Sequence, residues 1–294
     1  MPERRTHRMY DRLLVSTDGS GSANAALELA GRIASPSATI HVLVVSEDDG
    51  DDGPRDVSDR TVDEILDDAR ETVTADVKAV VTEHRRGDPR EQILEYIEAA
   101  DVEIVVMGAH GRRVAEPIVL GRVTEGLVRD APVPVLVARA SDDIRGLYPF
   151  ERILVPTDGS EHARAALELG VALAAETGAT LHLLSVVGTT RYGLGSESMA
   201  LLNQLEENAT RELEAAAESA ADGTGIDVRT TVNRGSIHRT ISAYAEANDV
   251  DLLIMGTHGR SEGDRELPGS VTERVLRTAP APVVTVRARE TNKS

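Results

Sequence analysis

The residues best suited to chemistry are glycines held at a fixed spacing. Two residues separate Gly256 from Gly259, and nine more separate Gly259 from Gly269-Ser270. Glycine lets backbone N–H groups approach an anion with no Cβ in the way. A helical pattern opens near Ser270, so free N–H groups and the positive end of a helix dipole would face the same anion. Such a helix end contributes about 0.3–1 kcal/mol per exposed negative contact. A second motif, Thr157-Asp158-Gly159-Ser160, directly follows an apolar run and supplies an acid. Related residues recur earlier in the chain as Asp18, Gly108, Gly111 and Gly121, but Arg122 stands where the hydroxyl of Ser270 would be.

Each of these residues also has a plainer reading. Ser270-x-x-Glu273 has the form of a capping box, worth about 1 kcal/mol to a helix. Arg122 removes that cap from the first copy, so the helix start there is expected to differ. Arg122 either contacts phosphate through a charge-assisted bond or fills an empty pocket. Asp18 and Asp158 alone would read as turn or N-cap residues. His110 and His258 lie inside the glycine loops with no acid at a telling spacing, and are expected to pack or bond within the loop. Residues 47–52 lack the ligand spacing of a calcium loop, and no metal-binding histidine pair, Walker lysine motif or nucleophile elbow is present.

The elements that must position these residues are written twice. Arg12-Leu-Leu-Val-Ser-Thr-Asp-Gly-Ser20 returns as Arg152-Ile-Leu-Val-Pro-Thr-Asp-Gly-Ser160. Val106-Met-Gly-Ala-His-Gly-Arg112 returns as Ile254-Met-Gly-Thr-His-Gly-Arg260. The offset between copies grows from 140 to 148, which places eight extra residues between the second strand of the later copy and Gly235. The expected domains are residues 1–140 and 151–294, joined by a linker at 141–150. In the first copy, apolar runs at 12–16, 39–45, 77–83, 102–107 and 133–137 read as strands. Helical patterns lie at 23–34, 61–74, 163–175 and 199–221, and Asp88-Pro89 supplies an N-cap and first-turn proline. Alternating strands and helices predict an α/β fold, each domain a five-stranded, mostly parallel sheet. Ligands of such sheets sit beyond the carboxyl ends of the strands, where the winding reverses. If strands one and four are neighbours there, the acid and the glycine loop form opposite lips of one crevice.

These motifs resemble the universal stress protein family, in its ATP-binding subgroup, over nearly all of both copies. The resemblance rests on the Thr-Asp-Gly-Ser segments, the glycine loops and the closing runs Ala131-Pro-Val-Pro-Val-Leu-Val137 and Ala279-Pro-Ala-Pro-Val-Val-Thr285. It implies strand order 3-2-1-4-5 with helices on both faces, an adenine nucleotide alpha hydrolase-like fold. It implies ATP as ligand, with or without Mg. Asp158 would hold the ribose, the Val186 backbone would meet the adenine edge, and Gly256, Gly259, Gly269 and Ser270 would hold phosphates. Pro156 and Thr157 would line the pocket. The matching positions in the first copy are Asp18, Val45, Gly108, Gly111, Gly121 and Arg122, with Ser16 in place of Pro156, and binding there is expected to be weakened or absent. The family commonly pairs through its last strand, which implies an internal pseudo-dimer of the two copies, with a homo-oligomer as the further option.

Composition narrows the function classes. A net charge of −18 repels nucleic acid and anionic membranes. Two lysines, Lys78 and Lys293, in so acidic a chain resemble the surface of a salt-adapted cytoplasmic protein. With aromatics at 2% and no cysteine, the cores must be aliphatic and thiol chemistry is excluded. The first nine residues are polar and basic and do not form a secretory signal, and Met9 could serve as an alternative start. The expected function is ATP binding in a stress response, acting through shape or partner surface. A slow ATPase or adenylyl-transferring enzyme and a nucleotide-free interaction scaffold stand as alternatives.

Overall fold

In the computed structural model the described residues are 10–47, 61–73, 77–111, 120–139, 148–189, 196–259 and 270–288. The chain divides into two compact units, Met1–Tyr148 and Pro149–Ser294. Most of the expected linker, residues 141–147, lies outside the described residues, as do the expected leader, residues 1–9, and the acidic run beyond Glu47. Phe150, at the linker's expected end, is buried.

Unit 1 runs β1 (Tyr10–Ser16), α1 (Gly21–Ile33), β2 (Ala34–Ser46), α2 (Val62–Thr72), β3 (Ala79–Arg86), α3 (Pro89–Ala99), β4 (Ile104–Gly108), α4 (Arg122–Asp130) and β5 (Val135–Ala138). Its strands lie in the order β3-β2-β1-β4-β5, every pair parallel. Unit 2 repeats this with β6 (Arg152–Pro156), α5 (Glu161–Thr177), β7 (Thr180–Gly188), α6 (Ser196–Ala221), β8 (Val228–Gly235), α7 (Ile237–Ala247), β9 (Leu252–Gly256), α8 (Ser270–Thr278) and β10 (Val283–Val286). Its order is β8-β7-β6-β9-β10, again parallel. In unit 1, α1 packs with α2 and α3 with α4, one pair on each face of the sheet. The central strands are therefore covered on both sides, and Leu13, Leu14 and Val15 are fully buried, as are Ile153, Leu154 and Val155.

The first crossovers end differently in the two units, for a local reason. Helix α5 closes on Gly178, whose φ of 77° is the left-handed conformation glycine adopts without a Cβ penalty. Helix α1 stops four residues earlier in the alignment, because Pro36 drives Ser35 away from helical geometry. The chain passes straight into β2, and Ser35 and Ser37 both donate to the Asp11 carboxylate. Those bonds hold Asp11 below the usual carboxylate range. Arg12 pairs with Thr39, and Arg152 with Thr180, so the offset has already become 141 at the second strand. One of the eight extra residues thus precedes that strand, not all of them follow it, and the rest lengthen the region of α6.

One buried polar pair is duplicated. His41 Nδ1 lies 2.9 Å from the Tyr96 hydroxyl, and His182 Nδ1 lies 3.0 Å from that of Tyr244. Each joins a strand to the helix packed over it. Burial lowers both histidine pKa values and raises that of Tyr96.

Candidate nucleotide-binding crevice

The acid lip is the same turn in both units. Thr157 N bonds Leu184 O at 2.8 Å, which continues the sheet one residue past β6. The Thr157 hydroxyl then accepts from Gly159 N at 3.2 Å, and Asp158 Oδ1 accepts from Ser160 N at 3.0 Å. Gly159 supplies a φ of 73°, and Ser160 Oγ caps α5 by accepting from Ala163 N. Thr17, Asp18, Gly19 and Ser20 repeat every one of these contacts. The N-cap is therefore the serine, and the aspartate shapes the turn with Oδ1 while Oδ2 is turned to the opposite lip.

That opposite lip follows β4 and β9, which neighbour β1 and β6. A Cβ built on Gly259 would lie 2.7 Å from Asp158 Oδ2, and one on Gly111 would lie 2.6 Å from Asp18 Oδ2. The second glycine and the acid thus face each other across the crevice in both units. The first glycine has a different task. A Cβ on Gly256 would sit 2.7 Å from His162 C and 2.9 Å from Ala163 N, and one on Gly108 would meet Ser22 C and Ala23 N equally closely. Its bareness lets the strand end nest against helix backbone. Two further ties cross the crevice, Ser160 Oγ to His258 O at 3.5 Å and Ser22 Oγ to His110 O.

The helix that follows the loop is fastened to the same glycine. Thr272 Oγ1 donates to Gly256 O at 2.8 Å, and Thr124 Oγ1 to Gly108 O at 2.9 Å. Both threonines are buried. Their recurrence in Val123-Thr-Glu125 and Val271-Thr-Glu273 was the available signal, although sequence reading gave them no role. Helix α4 begins at Arg122 and α8 at Ser270, the same aligned position. The expectation of a different helix start is therefore corrected. Backbone geometry sets it, with Gly121 as the N-cap of α4 and no side chain bonded there.

Arg122 is exposed at the first position of α4, not packed into the crevice as a filling side chain would be. Gly121 N bonds Ala109 O at 2.8 Å, which closes the unit 1 loop back on itself. Gly269, the side chain of Ser270 and the loop residues 112–119 and 260–268 lie outside the described residues. Pro156 and Ser16 end β6 and β1, half-buried beside the crevice, and Val186 and Val45 are half-buried near the ends of β7 and β2. His258 bonds within its loop, as expected, with Nδ1 3.1 Å from Thr257 Oγ1.

Sequence reading missed His162, the second residue of α5. Its ring lies 5.1 Å from that of His258, and its Nδ1 accepts from Ala288 N at 3.0 Å. Burial, then His258 and Arg287, lower its pKa, against Glu161 and Asp158. The aligned residue in unit 1 is Ser22, so no duplicated pattern drew attention to it. Among the described residues no group of three or more His, Cys, Asp or Glu side chains could hold a metal ion. No helix among them is long and apolar enough to cross a membrane.

Taken together, each unit offers a crevice at the strand reversal, with an acceptor acid on one side and bare backbone on the other. Comparison with known proteins agrees with this architecture. Universal stress protein MJ0577 of Methanocaldococcus jannaschii is 33% identical over 158 residues, covering 48% of this chain and 96% of that protein. Universal stress protein MJ0531 of the same organism is 31% identical over 140 residues, covering 47% of this chain and 82% of its own length. The crystal structure of a universal stress protein from Archaeoglobus fulgidus superposes with a TM-score of 0.66 at 27% identity, covering 96% of this chain and all of that one. Residues 9–139 and 149–287 each match the universal stress protein family, and the chain belongs to that family.

Proposed function

We propose that unit 2 binds ATP and that its occupancy regulates the shape or partner surface of the protein in a stress response. The observation that carries this reading is the opposition of Asp158 Oδ2 and Gly259 at the strand reversal, where a single Cβ would fill the space between them. A carboxylate there can accept bonds from a ribose diol, and bare backbone beside a helix N-terminus suits phosphates. The complete spacing from Gly256 to Ser270, which resembles the ATP-binding subgroup, supports the same ligand. Asp158, Gly259, Gly269 and Ser270 would hold the nucleotide, with Val186 at the base and Pro156 and Thr157 along the wall. Any Mg would be held in large part by the phosphates it accompanies.

Unit 1 keeps the crevice but carries Arg122 in place of the hydroxyl, and we assign it weaker binding. The acidic, lysine-poor composition favours a salt-rich cytoplasm as the setting. Mass spectrometry of nucleotide released from the purified protein, with its molar ratio to chain, tests the reading. About one adenine nucleotide per chain is expected. Equilibrium dialysis in potassium chloride that finds no ATP bound to well-folded protein would overturn it. Gly259→Ala pushes Asp158 aside and should lower affinity at least tenfold, while Gly111→Ala should change it less than threefold. Sustained release of ADP or AMP, lost in Gly259→Ala, would favour the enzyme reading instead.

A further inference from the structure

The duplicated histidine–tyrosine pairs match, but the surfaces over the two tyrosines do not. In unit 1 the Arg85 guanidinium carbon lies 4.7 Å from the centre of the Tyr96 ring. Arg85 Nε donates to Glu83 Oε1 at 2.6 Å, which anchors the guanidinium between β3 and α3. Under this cover Tyr96 is buried. The strand registers align Glu83 with Thr231 and Arg85 with Asn233. Asparagine is too short to cover the ring. Tyr244 is accordingly only half-buried. A groove of about 440 Å³ opens against it, lined also by Asn233, Arg239, Thr240, Ala243, Ala247 and Asn248. That volume lies within the range of small-molecule sites.

The walls changed together with the filler. Where α7 carries Arg239 and Ala243, α3 carries Glu91 and Glu95. Three acids and one arginine at these positions in unit 1 thus become one arginine and no acid in unit 2. The acidic groove suits the guanidinium it holds. The open one has reversed its sign, in a chain whose net charge is −18. Among the described residues Arg239 makes no ion pair, so its charge is available to an incoming anion. The Tyr244 hydroxyl lies 3.0 Å from His182 Nδ1 and 3.3 Å from Thr231 Oγ1, and these bonds fix the ring before any ligand arrives.

We propose that this groove is a second binding site of unit 2, for a small carboxylate with a flat apolar body. The flat body stacks on the Tyr244 ring between the methyl groups of Ala243 and Ala247. Arg239 grips the carboxylate through two parallel N–H bonds, a geometry its planar fork matches. The amides of Asn233 and Asn248 line the remaining wall, and Asn248 is held in place by its bond to Tyr244 O at 2.8 Å. None of these residues belongs to the crevice, so the assignment does not depend on the nucleotide reading.

Titration of the full-length protein with cinnamate, followed through the nuclear magnetic resonance signals of the Tyr244 ring and the α7 amides, tests this. Those signals should shift and saturate, while the covered Tyr96 ring stays still. Neutral cinnamamide and cationic methylguanidinium should bind about tenfold more weakly, as neither can use the Arg239 fork. Arg239→Glu and Ala243→Glu each return the residue of unit 1 at an exposed helix position, where the fold tolerates glutamate. Each should weaken cinnamate about tenfold, by lost contact or added repulsion. Tyr244 signals that do not respond to cinnamate would overturn the proposal. So would equal shifts at Tyr96, methylguanidinium bound as tightly as cinnamate, or undiminished binding in Arg239→Glu.

Discussion

At the level of single residues, glycines that look alike in a motif do different work. Gly256 is bare because helix backbone lies against it, whereas Gly259 is bare because a carboxylate does. Gly256→Ala forces backbone to shift, so it should destabilise unit 2 by about 1–3 kcal/mol, in line with overpacking elsewhere. Gly259→Ala displaces only the exposed Asp158 side chain and its bond to Ser160 N, a loss of about 1 kcal/mol or less. Urea unfolding of both variants checks the ordering, and a larger loss in Gly259→Ala would reverse the assignment. The same distinction makes valine at Gly108 or Gly256 a poor probe of binding, because both would break the fold first. The acid and the glycines were legible in the sequence because they recur. His162 was not, because its contacts with Ala288 and His258 exist in one copy alone, where unit 1 has Ser22, and a repeat cannot display what it does not repeat.

At the scale of elements, the alternation of short apolar runs with Ala-, Leu- and Glu-rich stretches was enough to read the strands and helices within a few residues. The α1–β2 junction was less legible, since Pro36 ends the helix but the Asp11–Ser35–Ser37 contact that replaces the lost turn joins residues far apart in sequence. The buried His–Tyr pairs were equally hidden, as nothing in strand periodicity marks a histidine that a tyrosine 62 residues later will meet. They carry a pH consequence. Burial lowers the folded-state pKa of His182 and His41 below the ordinary 6.5, so the unfolded chain binds protons that the folded one refuses. Their stabilising contribution is therefore complete above pH 6.5 and is lost progressively as pH falls below it. Urea midpoints at pH 8 and pH 5.5 should differ, and the difference should shrink in His182→Gln, which cannot take up the proton. An unchanged difference in that variant would show that the slope arises elsewhere.

Over the whole molecule, the dominant fact is a net charge of −18 on 294 residues. Such a chain stores self-repulsion in its compact state, and a phosphate ligand approaches against the same field. The local arrangement of bare backbone and a helix N-terminus must outweigh that field at short range, where it matters most. Salt acts on the long-range part. The Debye length falls from about 10 Å at 0.1 M to about 3 Å at 1 M, so most of the repulsion between distant surface charges is screened in that interval. The urea midpoint should therefore rise between 0.1 and 1 M potassium chloride and then level off. Screening saturates in this way, whereas stabilisation by exclusion of a salt from the surface keeps growing with its concentration. A midpoint that is flat from 0.1 to 1 M would show that the acidic surface does not weaken the fold at all. One that climbs in proportion to salt well beyond 1 M would assign the effect to solvent exclusion, leaving charge repulsion with no measurable share in stability.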